Sequence, residues 1–321
     1  VLIIIVAVAV SNYVDGRKDL VSKYFLPAIE SLTNLNDVGW INELWYRKET
    51  GDILSSLEEK GREIVLRGLL LAGSIDHRAE ELLIPLAAED PERIIAFFGE
   101  RLQHEEVTKP KGRYSAIPYR FHKLHETLAN FPILAVDIVR SWFDGKGALF
   151  QYKGANLLKC IFPDWSEPFE AKLLELVNAG ERQDIEFVLL VLLNYEGEPF
   201  LHDVCREIVA ALPENDELLG IVASVLRSTG VVTGEFGLAD AYQRKIEEIK
   251  PWQNDHMERV RKFAANYVSG LENDAESERR RAEEDIELRK FAYGDHKEDT
   301  AEEDIDGEQQ EAAKDDGGDE K

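Results

Sequence analysis

Apolar residues recur along most of this chain with a helical period, and the stretch from Phe169 to Leu226 repeats itself. Glu-Pro-Phe opens one apolar run at Glu167–Phe169 and another at Glu198–Phe200, 31 residues later. Phe169, Leu173, Leu174 and Val177 shift onto Phe200, Val204, Cys205 and Ile208, while Leu176 falls on Glu207, the one poor match. Two further helical runs, Asp184–Leu193 and Asp216–Leu226, lie 32 residues apart. A period of this length, two cycles long and built of paired helices, is the signature of a helical solenoid. Within it, Leu201, Val204, Cys205, Ile208, Val209 and Leu212 follow the i, i+3, i+4, i+7, i+8 rule. Ile185–Leu193 is apolar on nearly every side and is expected to be the most buried helix.

The same reading places helices on both sides of this core. Lys18–Leu32 carries Leu20, Tyr24, Phe25, Ile29 and Leu32 on one face. Val38–Leu57 follows, with a break expected at Gly51. Arg62–Ala72 is apolar around most of its circumference and pairs with His77–Ala88. At Asp90-Pro91-Glu92 an oxygen-bearing cap, a proline and an acid coincide as a helix start, and that helix is expected to reach about Gln103. Glu105–Pro118, with Pro110, Gly112 and Pro118, reads as a long loop. Helical patterns resume at Tyr119–Leu128, Asn130–Phe143 and Gly154–Phe162, and Ser166 is placed to cap the first Glu-Pro-Phe helix. After a turn at Gly230–Gly237, the more polar Leu238–Ile249 and Asp255–Leu271 end the array, as a terminal repeat must to stay in solution.

From Glu272 to Tyr293 the pattern becomes a charged single helix, with Glu276→Arg280 and Asp285→Arg289 in the favourable order. Residues 295–321 hold thirteen acids against three lysines and almost nothing apolar. Such a composition does not repay the entropy of folding, so a disordered acidic tail is expected there. The organisation is therefore an array over 1–271, a charged helix over 272–294 and a tail over 295–321. At the other end, Val1–Val10 is an apolar run about half the length of a membrane span. It reads as a buried element of the array, with a strand or a truncated membrane segment as alternatives. It has neither the basic n-region nor the cleavage site of a signal peptide.

Charge changes the picture more than composition does. The formal net charge is −25, of which the tail supplies ten, leaving 15 for the rest. That balance disfavours nucleic acid and anionic lipid as partners, because both are polyanions. Cys160 and Cys205 are too few and too far apart for a disulfide framework or zinc cluster, and read as buried thiols in a reducing, cytoplasmic compartment. The first residue is Val1 rather than Met, so the sequence reads as a piece of a longer chain or an incomplete frame.

Antiparallel helix pairs, with prolines and acids at helix starts and repeats drifting from 31 to about 41 residues, resemble the HEAT/armadillo-type α-solenoids. Asp90–Leu102 and Phe131–Phe143 are two more helices of this kind, and the resemblance covers Lys18 to Leu271. It implies an all-α fold, a right-handed α-solenoid of antiparallel helix pairs. It also implies a scaffold or recognition surface rather than a catalyst. The tetratricopeptide and ankyrin signatures are absent.

Motifs of chemistry are sparse. Gly145-Lys146-Gly147 resembles the end of a phosphate loop, but Ala148 replaces the magnesium-binding hydroxyl and no strand precedes it; it reads as a helix stop. His122, His125 and Glu126 lie within one turn without a further ligand cluster, so no metal is expected. No catalytic residue, cofactor or metal site is assigned. The clearest local departure is a basic run in an acidic chain: Lys109, Lys111, Arg113, Arg120 and Lys123, interleaved with Tyr114 and Tyr119. It reads as a candidate anion- or partner-binding segment, against the plainer reading of a solvated loop. The expected function is a non-enzymatic scaffold that binds another protein, its oligomeric state open and no membrane involved. The alternatives are an accessory domain of an enzyme whose catalytic region lies upstream of Val1, and nucleic-acid binding through 109–123.

Overall fold

The structure, a computed structural model, describes residues 1–13, 19–45, 49–108, 114–195 and 200–294, and these are all-helical with no strand. The sequence-predicted tail at 295–321 lies outside the described residues. The α-helices are α1 (Leu2–Tyr13), α2 (Leu26–Asn34), α3 (Trp40–Trp45), α4 (Thr50–Ser55), α5 (Glu59–Leu70), α6 (His77–Glu89), α7 (Pro91–Thr108) and α8 (Leu124–Leu128). They continue as α9 (Pro132–Ser141), α10 (Ala148–Ile161), α11 (Glu167–Ala179), α12 (Arg182–Leu192), α13 (Phe200–Ala211), α14 (Leu218–Arg227), α15 (Gly237–Ile249) and α16 (Glu258–Gly294). A π-helical turn at Val21–Phe25 leads into α2, and a 3₁₀ helix at Lys250–Asn254 follows α15.

Local chemistry sets several boundaries. Asp76 Oδ1 accepts from the backbone N–H groups of Arg78 and Ala79, both at 3.1 Å, and starts α6. Asp90 Oδ1 accepts from Arg93 N at 3.0 Å and starts α7, as its sequence implies. Gly180, at φ +76°, ends α11 in the left-handed conformation that glycine adopts without strain. Ser166 occupies the cap position of α11, but its hydroxyl makes no capping hydrogen bond.

Helices pack in two interleaved series. Odd-numbered α5, α7, α9 and α11 each touch the next odd member, and α13 touches α16. Even-numbered α4, α6, α8, α10 and α12 each touch the next even member, and α14 touches α15. One apolar core runs through both, from Val6 in α1 to Leu271 in α16. The matched positions of α11 and α13 occupy the same kind of place: Phe169, Leu173 and Val177 are buried, and so are Phe200, Val204 and Ile208. At two points a helix passes a tryptophan so closely that only glycine fits. A Cβ on Gly68 would lie 2.7 Å from Trp40 Cζ2, and one on Gly99 would lie 2.8 Å from Trp142 Cζ2.

Several expectations need correction. The break in Val38–Leu57 falls before Thr50, and Gly51 lies inside α4. Helix α7 continues to Thr108, so the first part of the expected Glu105–Pro118 loop is helical. Of Tyr119–Leu128 only Leu124–Leu128 is helix. Helix α10 begins at Ala148, well before Gly154, with Gly147 as its cap. Asp255–Leu271 and the charged Glu272–Tyr293 are not separate elements: α16 runs from Glu258 through both without a break, carrying Gly270 in its interior. From Leu2 onward the Val1–Val10 run is helical, with Val6 and Ala9 buried while Ile4 and Val8 face outward. Among the described residues no helix is long and apolar enough to cross a membrane. Helix α12 is deeply set through Ile185, Phe187, Val188, Leu189, Val191 and Leu192, yet Leu190 is half-buried and Leu193 is exposed.

Candidate functional site

The basic run predicted as a binding segment divides sharply. Lys109, Lys111 and Arg113 lie outside the described residues. Tyr114, Tyr119, Arg120 and Lys123 belong to an irregular connection, 114–123, between α7 and α8. Connections of this kind are ordinarily mobile. This one is fixed to the body at four places.

The first anchor is Arg101, on α7. Its side chain is wholly buried and makes no ion pair among the described residues. Instead Nε donates to Ala116 O at 3.0 Å, Nη1 to Leu69 O at 2.8 Å and Leu70 O at 3.3 Å, and Nη2 to Ala72 O at 3.0 Å and Ser115 O at 2.8 Å. One guanidinium thus satisfies carbonyls left over at the C-terminal end of α5 together with two carbonyls of the connection. Burial pulls its pKa down to about 10, opposed by the nearby Tyr114 and Glu105, which leaves it a cation at neutral pH. The second anchor is Tyr114, turned inward under this cation. Its hydroxyl donates to Leu70 O at 2.8 Å, its ring lies 4.7 Å from the Arg101 guanidinium carbon, and burial raises its pKa. Ser115 N donates to Gly73 O at 2.7 Å beside it.

The third anchor is Cys160 of α10, whose thiol donates to Pro118 O at 3.2 Å. Burial pushes that thiol up to about 12, which keeps it protonated and unreactive. The fourth is Glu80 of α6, a buried carboxylate that accepts from three successive backbone N–H groups: His122 at 2.9 Å, Lys123 at 2.5 Å and Leu124 at 2.7 Å. It caps α8 from another helix, since Lys123 at the cap position has no acceptor to offer. Phe121 is buried 5.3 Å from Phe98, between these anchors.

The side chains left outside are Tyr119, Arg120, His122 and Lys123. Tyr119 is 95% exposed. Lys123 pairs loosely with Glu81 at 3.6 Å. Arg120 has no ion pair among the described residues. The predicted residues are therefore not one cluster: Tyr114 serves the interior, and Tyr119, Arg120 and Lys123 face solvent.

Other candidates carry less. His122 precedes α8, so His122, His125 and Glu126 do not share a helical face, and the described residues gather no group of three or more possible metal ligands. A cleft of about 430 Å³ opens between α13, α14 and α16. Its cations are already committed: Arg259 donates to Ala210 O and Leu212 O, and Lys262 pairs with Glu214 and Glu258. Arg101 and Glu80 were not singled out by the sequence, and Cys160 was read there only as a buried thiol. The one available signal was Arg101 itself, a cation on the apolar register of Phe97, Phe98 and Leu102.

Comparison of the chain with family models, with curated proteins and with solved structures gives no match.

Proposed function

We propose that this chain is a non-enzymatic helical-repeat scaffold of the α-solenoid kind, whose work is to recognise another protein. The observation that carries this reading is the connectivity of packing, in which each helix from α4 to α12 touches the helix two places on. Stacking of this type buries a continuous core while leaving a long surface outside it, which suits extended recognition rather than an enclosed reaction site. The 31-residue register of α11 and α13 supports it, as do their matched buried positions. Nucleic-acid binding through the basic segment is the weaker use of the same loop. Tyr114 is withdrawn from stacking, Lys123 is partnered by Glu81, and the chain's net charge opposes a long polyanion.

The test is selection of a random peptide library on the immobilised full chain. The reading expects an enriched family of sequences that bind saturably in solution. No enrichment over an unrelated helical protein would count against it.

A further inference from the structure

The anchored connection stands beside a second surface feature that the sequence does not bring together. His122 meets His77, the first residue of α6, ring edge to ring face with centroids 6.2 Å apart. His77 in turn meets Trp45, the last residue of α3, at 5.2 Å. The Arg78 guanidinium lies 5.6 Å from the Trp45 ring, and its Nη1 donates to the neutral Asn42 Oδ1 at 2.5 Å. Its Nε is buried without a hydrogen-bond partner. These contacts join Trp45, His77, Arg78 and His122 from three elements distant in sequence, and Tyr119 and Arg120 are exposed on the same connection as His122.

We propose that Trp45, His77, Arg78, Tyr119, Arg120 and His122 form a docking face for a short acidic segment of a partner protein. This rests on the protein-recognition reading and specifies its partner. Of the nearby acids, Asp76 caps α6, Glu80 holds three backbone N–H groups, and Glu81 faces Lys123. Arg78 and Arg120 have no carboxylate partner among the described residues. Both stand in a chain of net charge −25, yet among the described residues neither reaches an acid as Arg93, Arg140 and Arg182 do. A carboxylate supplied from outside completes them, and the fork of a guanidinium suits a carboxylate better than an ammonium does.

The second argument is preorganisation. Arg101, Cys160 and Glu80 hold the backbone on both sides of Tyr119 and Arg120, so a ligand does not have to order the loop as it binds. Ring-bearing side chains and arginine, displayed on a fixed backbone, are the residue types that dominate binding energy at protein interfaces. The third argument is length. A body with 15 excess negative charges repels a long polyanion over its whole contour, whereas a short peptide feels mainly the local field within about 8 Å at physiological salt.

The experiment uses the full chain and a fluorescein-labelled octapeptide of Asp and Glu with one central Phe, followed by anisotropy at low and physiological salt. Saturable binding is expected at low salt, weakened about fivefold or more at physiological salt. The double variant R78Q/R120Q is expected to bind at least about tenfold more weakly with a melting curve little changed, because Arg120 is exposed and Arg78 only partly buried. Lys123→Gln is expected to change little, since Lys123 already has Glu81. Absence of saturable binding at low salt overturns the proposal. So does undiminished binding by R78Q/R120Q, or equal competition by inorganic phosphate or a single-stranded oligonucleotide. If the probe binds only after the thirteen acids of 295–321 are replaced by amides, the occupant is this chain's own C-terminal segment and the partner proposal fails. Library-selected peptides that are not acidic, or that survive R78Q/R120Q, overturn this site while leaving protein recognition standing. No selected peptide at all counts against the scaffold reading itself.

Discussion

The block from α11 to α14 and the region from Leu69 to Leu124 belong to the same core but are joined by different forces. In the first, Phe169, Leu173, Val177, Phe187, Leu189, Val204 and Ile208 interlock as apolar side chains, the buried Lys172 turns to Asp137 and Glu175, and the ion pairs of Arg182 with Asp216 and Glu217 lie at the surface. In the second, two charged side chains make the joins. Arg101 gathers carbonyls from five residues, and Glu80 gathers three N–H groups. Apolar packing spreads its free energy over many contacts and tolerates a modest change of shape. A buried ionic staple concentrates it, and losing one atom group strands several backbone partners at once.

Ways to break that contrast can be ranked by size. The largest effect is expected from Arg101→Met, which leaves the carbonyls of Leu69, Ala72, Ser115 and Ala116 without their donors. A loss of about 3–5 kcal/mol in denaturant unfolding is expected, with Arg101→Lys restoring less than half because one ammonium cannot span both groups. A loss below about 1 kcal/mol would show that water replaces the guanidinium without difficulty. In the apolar block, Leu189→Ala is expected to lose about 2–5 kcal/mol, and Leu190→Ala, half-buried next to it, clearly less. Equal losses would mean that the burial pattern of α12 does not set its energetics. Glu80→Gln keeps the shape but halves the acceptors and removes the charge. About 1–3 kcal/mol is expected, with faster amide exchange at residues 122–124.

Smaller tests use glycine and pH. Gly68→Ala adds a methyl where Trp40 leaves no room and is expected to destabilise by about 1–2 kcal/mol, beyond any gain in helix propensity. Gly220→Ala, in open space on α14, is expected to stabilise by about 0.5–1 kcal/mol. The same sign at both sites would refute the close Gly68–Trp40 approach. Between α5 and α7, Arg93 Nη2 donates to Glu63 Oε2 at 2.8 Å, and this hydrogen bond holds the Glu63 carboxyl below its ordinary pKa. Its contribution is therefore present above the ordinary carboxylate range and is lost as pH falls through the depressed value. Glu63→Gln is expected to cost about 0–1 kcal/mol at neutral pH, the side chain being partly exposed, and the difference from the wild type should vanish in acid.

The same contrast governs what the sequence reveals. The α11–α14 block is legible because its information is periodic: Phe169 and Phe200 stand at equivalent points of a 31-residue register, and the buried Phe169, Leu173 and Val177 map onto the buried Phe200, Val204 and Ile208. The anchored connection is not periodic. Glu80 and Leu124 are 44 residues apart, Arg101 and Leu69 are 32 apart, and the acceptors of Arg101 are carbonyls, which every residue possesses. Nothing in the side chains of Leu69 or Ala116 marks them as partners of an arginine. The basic run was visible as composition, but composition does not tell which way a side chain points, so Tyr114 and Tyr119 looked alike until one proved internal and the other almost wholly exposed. The continuity of α16 was obscured differently: its charge pattern changes at Glu272, but pattern reports the environment of a helix, not its end.

The separation of Arg101 from its partners also has a kinetic side. Its guanidinium can shed water only after α5 has ended at the right place and the 115–116 backbone has come over it. Interactions completed that late contribute little to the folding transition state. Removing them leaves the folding rate nearly unchanged and appears almost entirely as faster unfolding. Arg101 thus sets how long the native state survives between openings more than how quickly it is reached.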